Sequence, residues 1–288
     1  MKRNWKRKIM KIIGITILFL GLLFSFGIYQ FSKRKSDEKI IKILEKDDAQ
    51  VFIRHLTYNN KDIRILEMQK TLDTVLPVLV FVHGSPGSAL DFKKYLVDKA
   101  LNKKYNILAY DRIGYGDVAT GEVLNSLREQ VEALHEVIRE IPSEDIVLVA
   151  YSYGGTIAMA SDKPYKKKII LAGAVKGDLE PAFWALNLYE WPLTRPLMPK
   201  VFQGASQEKL QHISELMQFE DQWNVSEAAV LSIHGKKDRI VPFENALFLE
   251  DKMDENKFSL LSLEEGNHAL VWTEFELIKN EILKVTNE

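Results

Sequence analysis

Ser152 stands in Ala150-Tyr151-Ser152-Tyr153-Gly154, with small residues two places before and two places after it. Small flanks let a backbone turn sharply and push a serine hydroxyl outward. A free hydroxyl is a poor nucleophile at its own pKa, so it needs a base within reach and a group that orients that base. Six histidines could supply the base. His55, His135 and His212 fall in strand or helix contexts and read as surface or core residues. His83 and His234 each precede a glycine at a strand end, which suits hydrogen bonding that holds a loop. His268 alone follows the last apolar run, in the loop Gly266-Asn267-His268-Ala269. It would take the Ser152 proton and return it to the leaving group. Asp238, in Gly235-Lys236-Lys237-Asp238-Arg239-Ile240-Val241-Pro242, would hold the imidazole tautomer and stabilise the imidazolium. Asp178 is the rival acid, and Asp111 reads as a brace for its own turn. With no cysteine and no His-x-x-x-His pair, thiol catalysis is excluded and neither a metal nor a cofactor is expected.

These residues need a frame that brings them together. The apolar run Ile146-Val147-Leu148-Val149 before the serine reads as a buried strand, and Thr156-Ile157-Ala158-Met159-Ala160 after it reads as a helix. Val78-Leu79-Val80-Phe81-Val82 is a second strand, ending in the loop His83-Gly84-Ser85-Pro86-Gly87-Ser88. Residues 50–58 and 62–68 flank Asn59-Asn60-Lys61 and suggest an antiparallel hairpin at a sheet edge. Strands at 105–110, 169–175, 230–234 and 258–263 alternate with helices at 90–101, 126–141, 153–161, 243–253 and from about 272. That alternation implies an α/β fold with a mostly parallel, eight-stranded sheet covered by helices on both faces.

The order Ser152, Asp238, His268, together with Asp111-Arg112-Ile113-Gly114-Tyr115-Gly116 after the strand at 105–110, resembles the α/β-hydrolase-fold serine hydrolases. The resemblance covers roughly residues 49–288. It implies an oxyanion hole made by the backbone N–H groups of Ser85 and Tyr153. It also implies that the interruption at about 176–227 is a helical cap over the site. Aromatics such as Trp184 and Trp191 are candidates to line its pocket, although most cap aromatics would form the cap's own core. A serine nucleophile argues against the relatives that use an aspartate. A small-molecule acyl substrate follows, cleaved as a carboxylic ester or related acyl bond through an acyl-enzyme. The loop His83-Gly84-Ser85-Pro86-Gly87 also suggests a proline-iminopeptidase-like aminopeptidase, but Ser85 stands where those peptidases have glycine. A non-catalytic binding protein on the same fold is the third reading, opposed by the presence of every triad candidate.

Composition adds a second theme. Residues 1–35 hold nine cations and no acid, leaving 30 Lys+Arg against 40 Asp+Glu in residues 36–288, a net of −10. An acidic body argues against a nucleic-acid partner. Residues 12–29 carry no charge over eighteen positions, which as a helix spans ~27 Å, close to a bilayer's hydrocarbon core. The more basic leading flank would stay inside, making a single-pass cell-membrane protein with its catalytic body extracytoplasmic. No small-x-small cleavage site follows the run, which favours an uncleaved signal-anchor over a signal peptide. The expected division is therefore an anchor at 1–35, a stalk or short helix at 36–48, and the α/β body at 49–288. The oligomeric state has no signature in the sequence.

Overall fold

The computed structural model describes residues 2–32, 35–116, 122–124, 126–223 and 226–286. Eight strands form one sheet: β1 (Phe52–Tyr58), β2 (Lys61–Glu67), β3 (Val78–Val82), β4 (Asn106–Tyr110), β5 (Ile146–Tyr151), β6 (Lys167–Leu171), β7 (Val230–Gly235) and β8 (Phe258–Leu263). Their spatial order is β1-β2-β4-β3-β5-β6-β7-β8. The pairs β1–β2 and β2–β4 are antiparallel, and all others are parallel. The hairpin turn is Asn59-Asn60, both at positive φ (48° and 59°), the left-handed conformation that a two-residue hairpin turn requires and asparagine tolerates.

Side chains alternate along each central strand, so the sheet has two cores. On one face Val80, Val82, Leu148, Ala150 and Ile170 pack with α5 (Leu127–Val137), α6 (Tyr153–Ala160) and α9 (Glu244–Lys252) through Leu134, Ile157 and Leu249. On the other, Leu79, Phe81, Val147, Val149 and Leu171 meet α3 (Lys93–Leu96) and α11 (Phe275–Lys284) through Tyr95, Leu96, Ile278 and Ile282. This second core also takes in α2 (Asp37–Glu45), which buries Ile40 and Leu44 and is tied to the hairpin by Asp37, bonded to His55 and Arg64. The short helix at the start of the body is thus part of the fold. The helix expected at 90–101 is instead a 3-10 turn (Ala89–Phe92), α3, and α4 (Lys99–Asn102). Asp98 interrupts it, accepting bonds from the N–H groups of Ala100 and Leu101 as a new helix N-cap. The chain closes the second face with α10 (Leu270–Thr273) before α11.

The segment between β6 and β7 carries 3-10 turns at Gly177–Leu179, Arg195–Leu197 and Glu220–Gln222, with α7 (Leu186–Glu190) and the long α8 (Lys200–Phe219). At the N-terminus, α1 runs from Lys2 to Ser32. Among the described residues no helix is long and apolar enough to cross a membrane, so the transmembrane reading of residues 12–29 finds no support there. That run lies in α1, and within it the side chains at 17, 18, 22, 24, 25, 28 and 29 fall outside the described residues.

Candidate active site

Strand β5 runs straight into α6, and Ser152 is the single residue at the corner, at φ 54°, ψ −122°. A non-glycine residue held at positive φ is strained, and such strain persists only where its surroundings enforce it. The enforcement is visible in the glycines around it. A Cβ on Gly154 would run into the carbonyl oxygens of Val82 and His83, and one on Gly84 would lie 2.9 Å from the Ser152 Cβ. The β3 end and the serine corner are therefore packed backbone to backbone.

His268 lies in the loop between β8 and α10. Its Nε2 is 3.1 Å from Ser152 Oγ, and its Nδ1 is 2.8 Å from Asp238 Oδ2. The ring lies beside Tyr151, whose hydroxyl donates to the His268 carbonyl at 2.8 Å. Asp238, whose side chain is fully buried, follows β7. Its Oδ1 accepts the N–H groups of Ile240 at 2.8 Å and Val241 at 2.9 Å. One carboxylate oxygen is thus fixed by backbone, and the other faces the imidazole. Asp178, the rival acid, is exposed in the 3-10 turn after β6, and the partner of His268 is Asp238.

The other histidines divide by their surroundings. His83 accepts the Arg112 N–H on Nε2 at 2.9 Å, so its Nδ1 carries the proton that goes to the Gly84 carbonyl at 2.7 Å. His234 bonds the Val241 carbonyl through Nε2 at 2.9 Å, and burial lowers its pKa. Both hold loops at strand ends. His55 lies in an exposed pairing with Asp37 and Asp62, while His135 bonds Ser161.

Ser152 opens onto a cavity of about 520 Å³ between the sheet and the cap. Ser85, Pro86 and Tyr153 line it near the serine, and Phe183, Trp184, Leu188, Met198, Phe202 and Val241 give it apolar walls. Among the described residues neither the Ser85 nor the Tyr153 backbone N–H is bonded to a protein acceptor. The Tyr153 N–H opens α6, where a helix has no acceptor of its own to offer. Trp184 lines the cavity, but Trp191, the residue that follows the five-residue α7, is not among the lining residues and is 56% exposed. Its backbone N–H donates to the Asn187 carbonyl, and its carbonyl accepts the Arg195 N–H.

Sequence reasoning missed a polar wall of this cavity. Glu180, Glu208, Lys209 and His212 line it as well. Burial, with Lys209 nearby, pushes His212 down to about 3, and burial alone lowers Lys209 to about 8. Lys209 is paired with Glu180. Glu208 is buried and receives Arg112, the arginine of the turn after β4. Only that arginine belonged to a motif visible in the sequence; the four cap residues sit at helical or loop positions with no distinguishing spacing. Among the described residues no cluster of His, Asp and Glu could hold a metal ion.

A family model described as "Alpha/beta hydrolase family" matches residues 79–275. No curated protein matches the sequence. Among solved structures, a candidate lipase from Acinetobacter baumannii AYE aligns with TM-score 0.65 at 15% identity, covering 88% of this chain and 98% of its own. A bacterial membrane phospholipase A aligns with TM-score 0.64 at 17% identity, covering 98% of this chain and 99% of its own. A candidate aryl esterase from Burkholderia cenocepacia gives 0.60 at 18% identity, covering 80% and 96%. At these identities the likeness is one of fold. Together with the match over most of the chain, the strand-to-helix corner and the eight-stranded sheet lead to one conclusion: the chain is a hydrolase enzyme belonging to the alpha/beta hydrolase family.

Proposed function

We propose that the protein is a serine hydrolase that cleaves a carboxylic ester, or a related acyl bond, through an acyl-enzyme. The observation that carries this reading is the chain of contacts from Ser152 Oγ through His268 to Asp238, opening onto an apolar cavity. In this mechanism Ser152 Oγ attacks the acyl carbon while His268 Nε2 takes its proton. The carbonyl oxygen gains negative charge between the Ser85 and Tyr153 N–H groups, which need not reorient to receive it. His268 then protonates the departing alkoxide, leaving an ester on Ser152. Water enters, gives a proton to His268, and its oxygen displaces Ser152, which takes the proton back. Asp238 keeps Nδ1 protonated throughout and offsets the imidazolium charge. The apolar walls suit an acyl chain, since ligand pockets of this size bind chiefly by burying apolar surface.

Hydrolysis of a p-nitrophenyl ester series from acetate to decanoate, beside a prolyl-amide panel, tests the reading. Ester turnover that disappears in Ser152→Ala supports it. Turnover confined to prolyl amides would favour the aminopeptidase, and turnover of neither would favour a binding protein.

The N-terminal segment completes the proposal as a single-pass anchor with the catalytic body outside. Its support is the uncharged run at 12–29 between basic flanks, and the exposure of Ile12, Ile15, Phe19, Leu23 and Phe26 along α1. The alignment with a membrane phospholipase A extends over 98% of the chain, and so includes this helix. Full-length protein should stay with membranes through a carbonate wash. Release by carbonate would refute the anchor.

A further inference from the structure

The cap and the loop that bears Ser85 are joined by a buried polar network with one carboxylate at its centre. Glu208, on α8, accepts bonds from Arg112 Nη1 (2.8 Å) and Nη2 (3.2 Å), Tyr115 Oη (2.7 Å) and Gln130 Nε2 (2.9 Å). Four donor groups converge on a side chain that is 1% exposed, and it accepts at every bond. Arg112 continues to the loop, donating from Nε to the His83 carbonyl at 3.1 Å and from Nη2 to the Gly84 carbonyl at 2.9 Å. Its backbone N–H fixes the His83 ring at the same time. Tyr115 is 2.8 Å from Ser85 Oγ. Because the tyrosine's one proton goes to Glu208, the serine hydroxyl must be the donor in that bond. Ser85 therefore donates to Tyr115 and Tyr115 to Glu208, a chain with a set direction that ends on the carboxylate.

Resting on the acyl-transfer reading above, we propose that Glu208 is a positioning residue that lets a seated cap hold the Ser85 N–H where the oxyanion forms. The carboxylate acts through its protein donors. It orients Arg112 and Tyr115, and they fix the carbonyls of His83 and Gly84 and the side chain of Ser85. Lifting α8 would remove Glu208 from all four donors at once, leaving a buried guanidinium unpaired and the loop released from its cap-side support. The cap's seating and the oxyanion hole's geometry thus become one event. A cap that merely walls the pocket would change substrate preference alone.

Two variants test this. Glu208→Gln keeps the shape but offers an NH₂ group where an acceptor is needed. Tyr115→Phe removes only the hydroxyl between Ser85 and the carboxylate and keeps the Arg112–Glu208 pair. Turnover is read per active site, titrated with a fluorophosphonate, so that loss of folded protein does not count as loss of rate. The expected result for Glu208→Gln is a fall in kcat of about 10- to 100-fold with KM for acetate within about threefold, as for weakened oxyanion donors. Tyr115→Phe should fall less, and the double variant should be no worse than Glu208→Gln, because both act through one network. Amide exchange of the loop at residues 83–88, followed by mass spectrometry, reads the positioning without any turnover. Faster exchange there in both variants is expected. Unchanged exchange, or unchanged kcat in an active wild type, overturns the inference. A wild type that hydrolyses no ester would count against the acyl-transfer reading instead, and the exchange data would still decide the role of Glu208.

Discussion

Replacing Asp238 by asparagine removes one charge and almost no volume, and the surroundings dictate how the new amide must lie. Oδ1 of Asp238 accepts two backbone N–H groups, from Ile240 and Val241, at 2.8 and 2.9 Å. In Asp238→Asn the amide oxygen must take that place. The reverse orientation would point an NH₂ at two backbone donors and lose two hydrogen bonds, at a cost of roughly 2 kcal/mol. The NH₂ is therefore turned toward His268 Nδ1, so that a second donor stands 2.8 Å from the Nδ1–H. Both groups cannot donate, so His268 moves its proton to Nε2 and points it at Ser152 Oγ, 3.1 Å away. A protonated Nε2 cannot accept the serine proton. The expected loss in kcat is ~10³- to 10⁴-fold, the size found where a triad histidine is held in the wrong tautomer, equivalent to about 4–5.5 kcal/mol of barrier. The assay is kcat/KM for p-nitrophenyl butyrate between pH 6 and 9, with unfolding curves recorded in parallel. Asp178→Asn serves as the control and should stay within about threefold of wild type. A folded Asp238→Asn enzyme within tenfold of wild type would refute the tautomer argument.

Other consequences can be measured separately. Gly154→Ala places a methyl against the Val82 and His83 carbonyls, and should lower stability by about 1–3 kcal/mol in urea denaturation while depressing kcat; a variant as stable and active as wild type contradicts the packing described. Trp184 lines the cavity and Trp191 does not, so Trp184→Ala should raise KM for octanoate about tenfold over that for acetate, a difference of about 1.4 kcal/mol. Trp191→Ala should shift neither, and equal effects would disprove the assignment. Lys168 is buried in β6, donates to the Ser161 carbonyl at 2.7 Å, and is pushed by burial down to about 7. The unfolded chain then binds more protons than the folded one from there up to the ordinary lysine range. Stability gains a term that rises with pH, by at most about 1.4 kcal/mol per unit, and is constant below that window. Lys168→Met should remove this rise between pH 7.5 and 9.5, as read from urea midpoints; the same slope in both proteins would contradict it.

Much of the site was legible because its signals are local. A buried strand, a serine between small residues and a small-residue helix occur in sequence, and Gly154 needs to be small because Val82 and His83 press on it from β3. Asn59-Asn60 announced its turn by residue type alone. The break at Asp98 was less visible, since a helix-capping aspartate and a helix-interior one look alike until its side chain is seen turned onto the N–H groups of Ala100 and Leu101. The cap was harder still. Trp184 and Trp191 are the same residue type seven positions apart, yet Trp184 lines the cavity and Trp191 does not. Glu208 looks in the sequence like a solvent-facing helix residue among Gln207 and Lys209. Its role follows from burial opposite Arg112, a contact across 96 positions that no spacing rule anticipates.

Covalent labelling of the nucleophile tests the central claim most directly. Protein spanning residues 36–288 would be treated with a fluorophosphonate, digested and mapped by mass spectrometry, with Ser152→Ala and His268→Ala alongside. The account predicts one adduct, on the peptide containing Ser152, absent from the first variant and slowed at least ~10³-fold in the second. No adduct on folded wild type, or an adduct on another serine that persists in Ser152→Ala, would contradict it.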